Sequence, residues 1–303
     1  MRIGSLFSGT GALDMAVEAV FPDARPAWFC EWGDAPSRIL AHHWPDVPNL
    51  RDVTAVDWSA VEPVDIITGG SPCQDLSAAG RRAGMTAGTR SNLWVNMREA
   101  IAHLSPRYVV WENVLGALSA TATSDSDMEP RTRLLGNGSG GHLRALGRVL
   151  GDLSELRYDA QWSVVRASDV GAPHHRARVF LLASSADSAG VRLEAGEQPV
   201  GQPAEVAEYH GGGHALPSET WGEYAPVVRR WERVTRPAPV PVESDQRRLN
   251  VAFAEWMQGL PEGHVTGVGI SRAAQLKAIG NGICVPQAVA ALRSLLELEA
   301  VTA

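Results

Sequence analysis

The feature that most constrains this chain is a repeated unit: a short apolar run, a glycine-bearing break, then apolar residues at helical spacing. Residues 3–7, IGSLF, break at SGTG, and ALDMAVEAV follows with the period of an amphipathic helix. The unit returns in AWFCE (27–31) before a helical segment at 34–43, and in VDIITGG (64–70) before a proline and a cysteine. A fourth apolar run is RYVVWENV, residues 107–114. Near-continuous apolar strands alternating with helices predict an α/β chain with a doubly wound parallel sheet covered on both faces. Such sheets bind ligands beyond the carboxyl ends of their strands, where SGTG, Glu31, Cys73 and Glu112 all fall.

Farther along, residues 118–141 are polar and glycine-rich and read as a loop, after which HLRALGRVLGDLSEL resumes a helical period. YDAQWSVVRA and ARVFLLAS read as strands whose short connection lets them pair antiparallel. From about 184 to about 245, glycine, proline, acidic residues and valines carry little periodicity, the mark of a small module or a long insertion. VAFAEWMQGL (251–260) reads as a helix, and VPQAVAALRSLLELEA (285–300) as a final amphipathic helix with Pro286 in its first turn.

The 303 residues, 45 % hydrophobic and 20 % charged, suffice for one large folded unit and one small one. No stretch approaches the roughly 18 uninterrupted apolar residues of a membrane span, and MRIGSLFSG lacks the pattern of an export signal, so a soluble cytoplasmic protein is expected. Cys30, Cys73 and Cys284 are few and far apart, which suits a reducing compartment and supplies neither a disulfide framework nor a zinc spacing. In HGGGH, His210 to His214, three glycines disfavour a helical ligand pair, and no metal site is expected. The net charge of −7 conceals two arginine clusters: Arg81, Arg82, Arg90 and Arg98, and then Arg229, Arg230, Arg233, Arg236, Arg247 and Arg248 around Trp231. Each is read either as a nucleic-acid contact or as solvated surface.

Taken singly, SGTG is a turn that lets backbone approach a ligand, though ordinary strand-to-helix turns also carry glycines. Glu31 lies about 20 residues on, at the tip of the second strand, where a carboxylate can accept from ribose hydroxyls, and Trp32 beside it offers an aromatic face. Asp52 is either an acceptor for an adenine amino group or a helix cap. Cys73, behind a proline in a polar loop with arginines nearby, is read as a thiolate nucleophile, whereas Cys30 and Cys284 suit structural roles.

In order, SLFSGTG, Glu31-Trp32, GGSPCQDLS, WENV, PHHRAR, LNVAFAEWMQGLP and IGNGICVP resemble the motifs of DNA cytosine-5 methyltransferases, over nearly the whole chain except about 184–245. The size and wording resemble compact solitary phage and prophage enzymes. The resemblance implies a Rossmann-like S-adenosylmethionine-dependent domain over 1–183, a small irregular target-recognition domain over 184–265, and a segment, 266–303, that returns to the first. It implies S-adenosylmethionine as cofactor, S-adenosylhomocysteine as product and no metal. Double-stranded DNA is the implied partner of a monomer without an obligate protein partner. Phe7, Ser8, Gly9, Gly11, Glu31, Trp32, Asp52, Val53, Pro72 and Asn281 match the cofactor positions, with Phe7 stacking on adenine and Asn281 at the methionine carboxylate.

The catalytic positions are Cys73, Glu112, Asn113, Arg176 and Arg178. Cytosine C5 is a poor nucleophile until a thiolate adds to C6, and the charge then developing on the ring calls for an acid at N3. Glu112 fits that task, Asn113 would orient the backbone around it, and the arginine pair would meet the O2 edge and hold Cys73 or Glu112. A stacked cytosine must be flipped out first, and the loop after Cys73, with Gln74, Ser77, Arg81 and Arg82, reads as a lid over DNA. The chain departs from the family at Ser5, where an acidic residue is common, at Ala12 in place of a second glycine, at His174 in place of glutamine, and at Gly282 in place of serine. An RNA cytosine-5 methyltransferase and a non-catalytic DNA-binding relative are the competing readings.

Overall fold

The computed structural model describes residues 1–71, 93–119, 121–122, 143–186, 216–243 and 247–302. Its main sheet has six strands in the order β2-β1-β3-β4-β8-β7. The strands β1 (Arg2–Leu6), β2 (Arg25–Cys30), β3 (Ile66–Gly69) and β4 (Tyr108–Val114) are parallel neighbours. The strands β7 (Tyr158–Arg166) and β8 (Ala177–Ser185) form an antiparallel pair, and β8 runs antiparallel to β4. The sheet is therefore mixed, with the parallel order broken where the short connection predicted a hairpin. A two-stranded ribbon pairs β5 (Thr121–Ala122), within the region read as a loop, with β6 (Leu143–Arg144), at the start of the stretch read as helical.

Alternation along the strands divides the core between the two faces. Leu6, Ile67, Val109, Trp111, Val179 and Leu181 share one apolar cluster with Trp94, Met97 and Ile101 of α3 (Trp94–Leu104) and with Leu146, Val149 and Leu153 of α4 (Ala145–Glu155). Ile3, Ile66, Val110, Phe180 and Leu182 share the other with α1 (Ala12–Val20) and α8 (Val285–Thr302). Each of these fully buried large side chains contributes about 1.5–3 kcal/mol. Helix α2 (Asp34–His43) adds Ile39 to the second cluster, and so do α6 (Val251–Met257) through Val251 and Ala254 and α7 (Arg272–Asn281) through Ala278 and Ile279. The stretch Arg272–Leu298 is apolar enough to cross a membrane, but α7 and α8 break it at Gly282, and their buried residues line this core.

Two helices depart from the expectation of irregular chain. Helix α5 (Ala225–Val234) lies within the aperiodic region, and α7 within the stretch read as a loop before the last helix. On α5, Val228 and Trp231 join Trp221, Trp256, Ala167, Ala172 and Cys284 in a third cluster. Trp231 is thus core rather than an aromatic among solvated arginines. Three of the six arginines of this cluster face carboxylates: Arg229 pairs with Glu232 at 2.7 Å, Arg248 with Glu243 at 3.1 Å, and the buried Arg236 faces Glu255 at 3.6 Å. Arg230 and Arg233 keep an exposed position on the helix.

Candidate active site

The carboxyl ends of β1 to β4 come together at one edge of the sheet. After β1, Phe7 adopts a left-handed φ of 55°, rare for a bulky side chain, and Gly9 and Gly11 follow at 57° and 77°. The chain thereby turns tightly into α1, with the Gly11 N–H donating to Ser8 O at 2.8 Å. Glu31, just past β2, is tied into this turn: Oε2 accepts from the Gly9 N–H at 2.9 Å and Oε1 from the Gly33 N–H at 2.7 Å. Trp32 beside it is 69 % exposed. Asp52 takes its alternative role as a cap, its Oδ1 accepting from Thr54 N and Oγ1 at the start of the short turn Val53–Ala55, where Val53 is buried.

At the next strand, β3 ends in Gly69, and Gly70-Ser71 lead toward Cys73. Ser71 is buried and anchored from β4: Asn113 Nδ2 donates to its carbonyl and hydroxyl oxygens at 3.2 Å, and Trp111 Nε1 donates to the same hydroxyl at 3.2 Å. Asn113 thus holds the backbone ahead of the cysteine, on the face of β4 opposite Glu112. Pro72, Cys73, Gln74, Ser77, Arg81, Arg82 and Arg90, with the lid reading, lie outside the described residues, as does HGGGH.

Glu112 projects from the other face, and the hairpin strand supplies its counter-ion. Residue 112 pairs with Phe180 on β8, which places Arg178 on the same face, one diagonal step away. Arg178 Nε approaches Glu112 Oε1 to 2.9 Å, and both side chains are nearly buried, at 13 % and 12 % exposure. Burial raises the Glu112 carboxyl above the usual carboxylate range, against the opposing pull of Arg178 and then Arg176.

The two arginines of PHHRAR therefore divide their work. Arg176 Nη2 donates to Gly280 O at 2.8 Å and Gly282 O at 2.5 Å, pinning IGNGICVP where α7 ends and its carbonyl dipoles point outward. This brings Gly282 against the glycine turn: a β-carbon there would sit 3.4 Å from Thr10 Oγ1. Asn281, exposed beside Gly282, stands at the same edge. His174 donates from Nε2 to Met257 O at 2.9 Å, and burial lowers its pKa, favouring the neutral ring.

The departure at Ser5 acquires a physical account. Ser5 Oγ donates to Asp14 Oδ2 at 2.8 Å, and Thr68 Oγ1 donates to Asp14 Oδ1 at 2.6 Å. Where the family commonly has a carboxylate at the strand, this chain has a hydroxyl, and a carboxylate reaches the same spot from α1. Sequence reading missed Asp14, although an acidic residue on a helix facing a glycine-linked strand, next to an unexpected serine, was the available signal. Asp14 is fully buried, and desolvation raises its pKa to about 7. Cys30 and Cys284 are buried with thiols pushed up to about 12, as expected of structural cysteines.

A family model for C-5 cytosine-specific DNA methylases matches residues 1–211. The chain belongs to this family. The chain is 28 % identical to the type II methyltransferase M2.BsuMI of Bacillus subtilis, over 94 % of its own length and 72 % of that protein's. It is 32 % identical to a protein of Escherichia phage P1 named DNA N-6-adenine-methyltransferase, over 60 % of this chain and 28 % of the phage protein. The chain spans 28–44 % of the length of the first three curated relatives it matches. The crystal structure of the S. pombe Dnmt2 methyltransferase shares its fold, with a TM-score of 0.61 at 17 % identity and complete coverage of both chains. The doubly wound sheet predicted from the strand pattern, and the Rossmann-like methyltransferase fold that the resemblance implied, are thus observed, with an antiparallel hairpin added to the parallel strands.

Proposed function

We propose that this methylase transfers a methyl group from S-adenosylmethionine to C5 of a cytosine flipped out of duplex DNA, at a short recognition sequence. The observation that carries the reading is the nearly buried Glu112–Arg178 pair at the strand ends, directly in front of Gly70, three residues ahead of Cys73. In that setting the Cys73 thiolate bonds to C6, while Glu112 holds a proton at N3 and Arg178 orients it. C5 becomes nucleophilic and would take the methyl group, with S-adenosylhomocysteine as the leaving group. Loss of the C5 proton and departure of the thiolate then release 5-methylcytosine.

The residues at the strand ends suit the methyl donor. When bound, S-adenosylmethionine supplies an electrophilic methyl group. Each oxygen of Glu31 accepts one backbone N–H, and a carboxylate has about four acceptor positions, so capacity remains for two ribose hydroxyls. Phe7 and Trp32 offer aromatic faces for the adenine, the left-handed glycines let the backbone approach closely, and Asn281 stands near the turn for the methionyl end. Asp52 keeps an adenine role only through the oxygen not engaged with Thr54.

Methylation of adenine at N6 would leave the cysteine idle, because an exocyclic amine is itself the attacking atom. The region 184–265 is the proposed recognition module, with Arg230 and Arg233 on its exposed helical face suited to phosphates. A solitary modification enzyme that protects DNA from restriction is the biological role this reading supports.

Base-resolution bisulfite sequencing of unmethylated duplex DNA, after incubation with protein and S-adenosylmethionine, tests the proposal beside Cys73→Ala. Protection is expected at cytosines in one recurrent sequence, and none with the variant. A folded protein that binds S-adenosylhomocysteine yet protects no cytosine would overturn the DNA reading in favour of an RNA substrate or a non-catalytic role.

A further inference from the structure

The glycine turn after β1 is held from outside by a residue more than 250 positions away in sequence. His264 is buried, and its Nε2 lies 2.7 Å from Thr10 O. A ring nitrogen facing a carbonyl carries the proton, so His264 donates. The ring is itself fixed: it stacks on His43 at 4.1 Å between centroids and 10° between planes, and His43 Nε2 donates back to His264 O at 2.8 Å. Trp44 closes the edge at 6.1 Å, and its ring occupies the place a β-carbon on Gly11 would need, 2.7 Å away.

The loop that carries His264 is rigidly anchored as well. Glu255 of α6, completely buried, accepts from Gly263 N at 3.1 Å, Val265 N at 2.6 Å, Thr266 N at 3.0 Å and Thr266 Oγ1 at 3.1 Å, and it faces Arg236. The histidine therefore acts on the turn from a fixed base.

The Thr10–Gly11 peptide shows what this accomplishes. Its N–H is committed to Ser8 O and its carbonyl to His264, so both sides of the peptide plane are tethered. That plane sets the left-handed φ of Gly11 and the direction in which α1 begins. The same turn presents the Gly9 N–H to Glu31.

We propose that His264 is a positioning residue for the cofactor site, fixing the Thr10–Gly11 peptide so that the glycine turn is preformed for the methyl donor. The inference rests on the reading of this turn as the S-adenosylmethionine site. His264→Phe keeps a stacking ring without the N–H, and His264→Gln keeps an N–H donor without the ring.

Hydrogen–deuterium exchange of the unliganded protein reads the turn directly, and calorimetric titration with S-adenosylhomocysteine reads its consequence. In His264→Phe, exchange over residues 8–13 is expected to accelerate while β3 and β4 keep their protection, and affinity to fall about tenfold, with His264→Gln recovering most of it. Unchanged exchange in His264→Phe overturns the proposal, as does faster exchange with wild-type affinity. Failure of the wild-type protein to bind S-adenosylhomocysteine would instead overturn the cofactor assignment and with it the role of the clamp in binding, while exchange would still report whether His264 holds the turn.

Discussion

A β-carbon on Gly70 would lie 3.1 Å from Oε2 of Glu112. The carboxylate thus occupies the space that any side chain at position 70 would claim. Gly70→Ala is expected to displace it by a few tenths of an ångström and lower the single-turnover methylation rate about tenfold, with Tm and cofactor affinity near wild type. An unchanged rate would show that the position of this carboxylate tolerates such a shift.

Arg178 is the larger of the two charges that oppose the upward pull of burial on Glu112. Removing a cation disfavours the carboxylate form, so Arg178→Ala raises the Glu112 pKa further. If the protonated acid serves at N3, activity falls as pH rises through that pKa, and the variant's basic limb moves to higher pH. Its maximal rate should drop about a hundredfold or more, and Glu112→Gln should abolish this limb. The pH dependence of kcat/KM for the three proteins checks both statements.

Burial raises the pKa of Asp14 in the folded protein to about 7, from the 3.8 of an unperturbed aspartate. Between these values the folded protein binds more protons than the unfolded chain, so this carboxyl makes stability fall as pH rises across the window, levelling off above about 7. Asp14→Asn removes the titration while offering hydrogen-bonding groups to Ser5 and Thr68. The wild-type Tm should decline by several degrees more than the variant's between pH 5 and pH 8, as followed by circular dichroism.

Glu255 is wholly buried and accepts from three backbone amides and a hydroxyl. Glu255→Ala strands these donors and leaves Arg236 facing a cavity, which should cost about 3–5 kcal/mol. A urea denaturation series reads it as a lower midpoint without loss of secondary structure before the transition.

The parts of this fold that were legible in the sequence are those where periodicity and burial agree. ALDMAVEAV gave its helix to the residue, and the antiparallel pairing of YDAQWSVVRA with ARVFLLAS followed from loop length. Helix α5 was hidden because its buried residues, Val228 and Trp231, are outnumbered by arginines, and α7 because few of its residues are buried at all. The chemistry-bearing residues were visible as motifs, but their partners were not. Arg176 finds its acceptors at Gly280 and Gly282, and Arg178 finds Glu112 only because β8 reverses beside β4. No local pattern encodes such pairings.

The apolar cluster that joins Ile3 and Ile66 to Leu292 and Leu295 has a consequence for biosynthesis. On the ribosome, the face packed by α3 and α4 has both of these helices once residue 155 has emerged, whereas the opposite face waits for α6, α7 and α8. Until they emerge, α1 and Ile39 of α2 cover that side of the nascent sheet only in part, and the apolar remainder is the kind of surface that chaperones bind and that aggregates when left uncovered.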